Sequence, residues 1–158
     1  MIKFKKSLGQ NFRVDKNIIK KILSLNLIYQ KNVFEVGPGS GNLSLEILKE
    51  NPKTFTAIEK DKKLLEILAN NLNKKKNINL LNKDILKINL ENLIKKDSIV
   101  FGNLPYNISS QLLVKWIRKH NLNLICKKMI LMFQKEVADR ILAKTNHRDY
   151  GRLSILSS

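Results

Sequence analysis

The chain has 158 residues, the size of one domain, and 30 Lys+Arg against 13 Asp+Glu give it a net charge of +17 and a sequence pI near 10.1. Hydrophobic residues at 43% suffice for a core, and charged residues at 27% are ordinary, which excludes a disordered polycation. A single cysteine, Cys126, excludes an internal disulfide framework, two distant histidines, His120 and His147, argue against a metal site, and no apolar run nears the roughly 18–20 residues of a membrane helix.

In chain order, Met1-Ile2-Lys3-Phe4-Lys5-Lys6 lacks a signal peptide's apolar region, so a reducing cytoplasmic setting is expected. Asp15 is placed to cap a helix carrying Ile18, Ile19, Ile22 and Leu23. Val33-Phe34-Glu35-Val36 reads as a buried strand running into glycine, and Leu43 to Lys49 follows with helical spacing. Thr54 to Ile58 reads as the next strand, and Leu64, Leu65, Ile67, Leu68 and Leu72 space as a helix. Ile78–Leu81, Ser98–Phe101 and Met129–Phe133 complete five strands, with helices predicted over Ser109–Arg118 and Lys135–Ala143. Strands alternating with helices imply an α/β fold with an open, doubly wound, mostly parallel sheet. An apolar segment begins at Leu153 and the chain stops at Ser158 without a capping signal, as if short of a natural end.

The charge has two readings. A basic domain is expected to bind polyanions, above all nucleic acid, with Lys3-Lys5-Lys6, Lys74-Lys75-Lys76 and Lys127-Lys128 as candidate phosphate contacts. The excess is 25 Lys with only 5 Arg, beside many Asn and Ile, which is also what an AT-rich genome imposes on any protein.

Strand one runs into Gly37-Pro38-Gly39-Ser40-Gly41 and then a helix, a turn where backbone N–H groups meet an anionic or polar ligand closely. A dinucleotide loop needs a third glycine where Asn42 stands; the spacing here is the GxGxG associated with S-adenosylmethionine (SAM). Glu59 ends strand two, placed to accept bonds from ribose hydroxyls, and Asp84 follows strand three, placed to accept from adenine's exocyclic amine. The plainer reading makes both acids loop residues or helix caps. Strand four ends in Asn103-Leu104-Pro105-Tyr106, which should face the same crevice as the glycine loop. Asn103 offers a side-chain acceptor, Pro105 stiffens the turn, and Tyr106 offers a face on which a base can stack. Acceptors on an aromatic amine localise its lone pair, so the set suits amine methylation by positioning and electrostatics, with no metal.

Ser7-Leu8-Gly9-Gln10-Asn11-Phe12, Glu35 to Gly41, Asn103 to Ser109, Gln134 to Ala138 and Tyr150 to Ser154 together resemble the ribosomal RNA adenine N6,N6-dimethyltransferases, nearest the small-subunit enzymes. The resemblance runs in order over nearly the whole chain, and its combination of motifs is specific where the glycine loop alone is not. It implies a class I SAM-dependent methyltransferase spanning 1–158, with segment 1–30 closing over the cofactor and the last strands and a C-terminal helical domain missing. It implies dimethylation of two adjacent adenosines in the 3′-terminal stem-loop of small-subunit rRNA within a pre-30S particle, by a monomer. Gln10 and Asn11, with Arg13 beside them, would close over the methionine part of SAM; Gly37 and Gly39 would line it. Glu59 would hold the ribose, Asp84 the adenine, and Asn103 both cofactor and target amine. Tyr106 would stack on the flipped base, and Phe133 sits near a second stacking position of the wider group. Arg13 departs from the family's usual Leu.

Two alternatives stand beside this: a non-catalytic RNA-binding assembly factor, and the related large-subunit rRNA dimethyltransferases that confer macrolide resistance. Plain structural readings apply to Cys126 and Trp116 (core), His120 and His147 (surface or loop), and Arg140, Arg148 and Arg152 (solvated edge or RNA contact).

Overall fold

The computed structural model describes residues 15–24, 28–72, 77–104, 106–119 and 126–158. In chain order the elements are α1 (Lys16–Ser24), β1 (Asn32–Val36), α2 (Asn42–Lys49), β2 (Thr54–Glu59), α3 (Lys62–Asn71), β3 (Ile78–Asn82), β4 (Ser98–Asn103), α4 (Tyr106–Ile117), β5 (Cys126–Met132), α5 (Lys135–Leu142) and α6 (Arg152–Ser157). Two short 3-10 turns, Ile85–Lys87 and Leu90–Asn92, lie between β3 and β4; three residues are too few to leave a periodic signal in sequence. No helix among the described residues is long and apolar enough to cross a membrane.

All strand pairings are parallel, and the sheet order is β3-β2-β1-β4-β5. The expected doubly wound sheet is therefore present. The period-2 alternation of strands explains its two cores. Val33, Phe55, Ala57, Ile99 and Phe101 point to one face, where they meet Ile19 and Leu23 of α1, Leu43 and Ile47 of α2, and Leu68 of α3. Phe34, Val36, Ile58 and Val100 point to the other, where they meet Leu112 and Trp116 of α4 and Ile85 and Leu90 of the 3-10 turns. Cys126 joins this second cluster, so both it and Trp116 are core residues as read from sequence. Strands buried on both faces carry near-continuous apolar runs, which is why β1, β2 and β4 were legible.

Three boundaries differ from expectation. β5 begins at Cys126 and ends at Met132, because Ser98 pairs with Cys126 and a register shift follows before Ile99 pairs with Lys128. Lys127 and Lys128 are exposed on β5, and two consecutive charged residues hide the strand signal in the sequence. α4 starts at Tyr106, the last residue of the tetrapeptide, three residues earlier than the Ser109 expected. The apolar segment from Leu153 is helix α6, packed on α4 and α5. Asp15 caps α1 as expected: its Oδ1 accepts the Asn17 N–H at 2.8 Å, and its carbonyl accepts the Ile19 N–H at 3.0 Å.

Candidate active site

The chain runs outward from β1 to β2 to β3, then returns to place β4 on the other side of β1. A doubly wound sheet binds ligands at this reversal, beyond the carboxyl ends of the strands. The glycine turn follows β1 there, and Asn103 ends β4 beside it, with Val36 paired to Gly102.

The turn is shaped by backbone that side chains rarely adopt. Gly41, the residue before α2, has φ +91, and a Cβ there would stand 2.5 Å from Leu68 Cδ1. Gly37 has φ +67, and a Cβ there would reach 3.6 Å from the Asn103 carbonyl oxygen, which shows how closely the two strand ends approach. The Gly37 N–H donates to the Ile58 carbonyl at 3.0 Å, tying the turn to β2.

Glu59, the last residue of β2, is buried at 8% exposure. Its Oε2 accepts the Gly39 N–H at 3.2 Å and its Oε1 accepts the Asp61 N–H at 2.9 Å. Burial raises its pKa, while the hydrogen bonds from Asp61 and Gly39 hold it down. The Lys60 backbone N–H also bonds this carboxylate; of its roughly four acceptor positions, about one is left for a ligand's hydroxyl. Its backbone carbonyl accepts from Asn82 Nδ2 at 3.0 Å, linking β2 to β3.

Asp84 caps the first 3-10 turn, with Oδ1 accepting the Leu86 N–H at 3.0 Å. Its Oδ2 pairs with Lys60 Nζ at 2.9 Å, and this partner lowers its pKa. Asp84 is thus a turn cap, and the lysine paired with it directly follows Glu59 in sequence.

Asn103 is half-buried at the end of β4. Leu104 is buried in the second cluster, so its side chain is a packing group. Tyr106 opens α4. Gln10, Asn11, Arg13 and Pro105 lie outside the described residues, as does the side chain of Tyr106. Phe133 packs partly buried against the second cluster. Of the remaining basic residues, Arg140, Arg148 and Arg152 are exposed.

One acid was read only as part of a motif. Glu35 in β1 is 1% exposed, and its Oε2 accepts the Ser44 hydroxyl of α2 at 2.6 Å. Burial pushes its pKa up to about 7, against the Ser44 hydrogen bond, with the Glu59 charge adding to the rise. The available signal was an acid inside an apolar strand, at a position paired on both sides, to Ala57 and Phe101.

Asp84, Glu59, the glycine turn and Asn103 thus follow β3, β2, β1 and β4, which are consecutive in the sheet. At about 4.8 Å between strands, they span about 15 Å of one rim. An extended ligand with an amine-bearing base, a ribose diol and a polar tail fits that donor and acceptor order, and SAM is such a ligand.

Comparison with known proteins agrees. A family model described as ribosomal RNA adenine dimethylase matches residues 1–158. The ribosomal RNA small subunit methyltransferase A of Pelagibacter ubique (strain HTCC1062) is 48% identical over 157 residues, covering 99% of this chain and 59% of that protein. The protein of the same name from the Wolbachia of Brugia malayi (strain TRS) is 46% identical, covering 99% and 60%. This chain therefore spans about three fifths of the length of these relatives. Among solved structures, a dimethyladenosine transferase from Plasmodium falciparum superposes with TM-score 0.74 at 30% identity, covering 90% of this chain and 50% of that one. The 23S rRNA methyltransferase ErmE superposes at 0.66 with 26% identity, covering 93% and 55%. With its fold that of the SAM-dependent methyltransferases, the chain belongs to the ribosomal RNA adenine dimethylase family.

Proposed function

We propose that this chain is the SAM-binding and catalytic part of an enzyme that dimethylates N6 of two adjacent adenosines in the 3′-terminal stem-loop of small-subunit rRNA. The observation that carries the reading is the row of Asp84, Glu59, glycine turn and Asn103 at consecutive strand ends. Glu59 accepts a ribose hydroxyl, and Asp84 accepts an N–H of the cofactor's adenine. The glycine turn admits the methionine part close to backbone. Bound SAM supplies a methyl group already activated on sulfonium.

Asn103 acts on the other substrate. Its side-chain oxygen accepts an N–H of the target amine, drawing the nitrogen lone pair out of the ring and toward the methyl group. Holding amine and methyl in line converts a bimolecular step into a positioned one, the main source of rate here. Tyr106, at the start of α4, is assigned the stacking role for the flipped base. Segment 1–30, with Gln10, Asn11 and Arg13, is assigned the closing over the cofactor; within it α1 is docked on α2. The substrate in this reading is rRNA of a cytoplasmic pre-30S particle, and the enzyme acts as a monomer.

The test is mass spectrometry of nucleosides from undermethylated small subunits incubated with the protein and SAM. Dimethyladenosine on small but not large subunits is the expected result. Product on large subunits alone would assign the macrolide-resistance activity instead. RNA binding without any SAM binding would assign a non-catalytic assembly factor.

A further inference from the structure

Lys115 stands within an apolar stretch of α4, Leu112-Leu113-Val114-Lys115-Trp116-Ile117. Leu112 and Trp116 are buried in the second cluster, and Lys115 beside them is half-buried. Its ammonium crosses to the segment after β3. There Nζ donates to the Leu86 carbonyl at 2.7 Å and to the Ile88 carbonyl at 2.8 Å. Among the described residues no carboxylate pairs with it. The charge is therefore spent on two backbone acceptors, at short charge-assisted distances.

Those acceptors belong to the turn that orients Asp84. Leu86 is held from both sides: its N–H by Asp84 Oδ1 at 3.0 Å, its carbonyl by Lys115. Ile88 closes the same 3-10 turn, its N–H donating to the Ile85 carbonyl at 3.3 Å. A three-residue turn leaves carbonyls at its end without partners of its own, and Lys115 supplies the partner. The Asp84 carbonyl also accepts the Lys87 N–H at 3.0 Å within the turn, and the other tie on its carboxylate comes from Lys60, whose side chain is 68% exposed against 17% for Asp84; a pair with one long side chain in water fixes geometry weakly.

We propose that Lys115 is a positioning residue for cofactor recognition, fixing from α4 the turn through which Asp84 is aimed at the adenine amine. This rests on the assignment of Asp84 to adenine made above. It also makes α4, which begins at Tyr106, the common support of the base-recognising acid and of the end of the tetrapeptide.

The test is calorimetric binding of two probes to the unaltered chain and its variants. One probe is S-adenosylhomocysteine; the other is its analogue with hydrogen in place of the exocyclic amine. Lys115→Met keeps the aliphatic stem and removes the ammonium. It should weaken S-adenosylhomocysteine about tenfold while moving the des-amino analogue less than about twofold. Lys115→Gln, whose amide still donates, should fall between Met and the natural residue and serves if Lys115→Met melts early. In an Asp84→Ala background, Lys115→Met should cost nothing further. Equal losses for both probes would make Lys115 a merely structural residue and overturn the proposal. So would a loss in Asp84→Ala with none in either Lys115 variant. If Asp84→Ala itself binds both probes as the unaltered chain does, the adenine assignment fails, and the proposal with it.

Discussion

Replacing Glu35 with Gln should remove most of the loss of stability that this protein suffers as pH rises from acid to neutral. Glu35 lies in β1, sealed from water, with Ser44 donating to its Oε2. Burial carries its pKa from 4.5 to about 7, with the charge of Glu59 contributing in the same direction. The folded protein thus binds this proton more tightly than the unfolded chain does. The sign follows: the stabilisation is complete below pH 4.5, falls as pH rises from 4.5 to about 7, and is gone above that. At 1.36 kcal/mol per pKa unit the fall is about 3 kcal/mol, or about 6–12 °C in Tm for a domain of this size. Glu59 is raised by burial too, so a smaller decline of the same sign should persist in the variant. The Gln amide introduces two donors into a buried place, an offset of about 1–3 kcal/mol at every pH if they find no acceptor. The informative quantity is therefore the slope of stability against pH, from urea titrations at half-unit steps across pH 4–8. A Glu35→Gln protein that declines as steeply as the natural one would refute the reasoning.

Four further outcomes are expected. Glu59→Ala removes the ribose acceptor and the anchor of the Gly39 N–H, and should weaken SAM by about 1.5–3 kcal/mol in calorimetry. Asn103→Ala should lower methyl transfer by about 10²–10³-fold while filter-binding affinity for rRNA persists; loss of both would make Asn103 structural. Gly41→Ala forces a Cβ onto buried Leu68 at a φ of +91, and should lower stability by about 2 kcal/mol or more in thermal melts. RNA affinity should fall with salt, the logarithmic slope growing by about 0.7–0.9 for each phosphate contacted; a flat profile would trace the +17 charge to composition alone.

The features legible in sequence are those written over short spans. Val33–Val36 followed by three glycines is a strand, a turn and a helix start within ten residues, and each needs only its own neighbours to be recognised. Glu59 and Asn103 are legible because each ends a mostly apolar run, and Asp84 because it stands two residues beyond β3. Their convergence required only the general rule that ligands gather at the strand ends of such a sheet. What tertiary structure alone decided lies across long separations. The pairing of Ser98 with Cys126 draws β5 three residues further back than its apolar stretch, through two lysines whose charge suggests phosphate contacts or a solvated patch. Glu35 becomes a perturbed acid only because the fold buries it and sets it near Glu59; the Ser44 hydroxyl that α2 brings over it works against the shift. Lys115, a surface-type residue on an apolar helix, gains a role only because α4 packs against a turn 27 to 29 residues earlier. Local patterning is set by the backbone period and turn chemistry of adjacent residues, whereas burial and hydrogen-bond partners are set by which distant elements the sheet order places side by side.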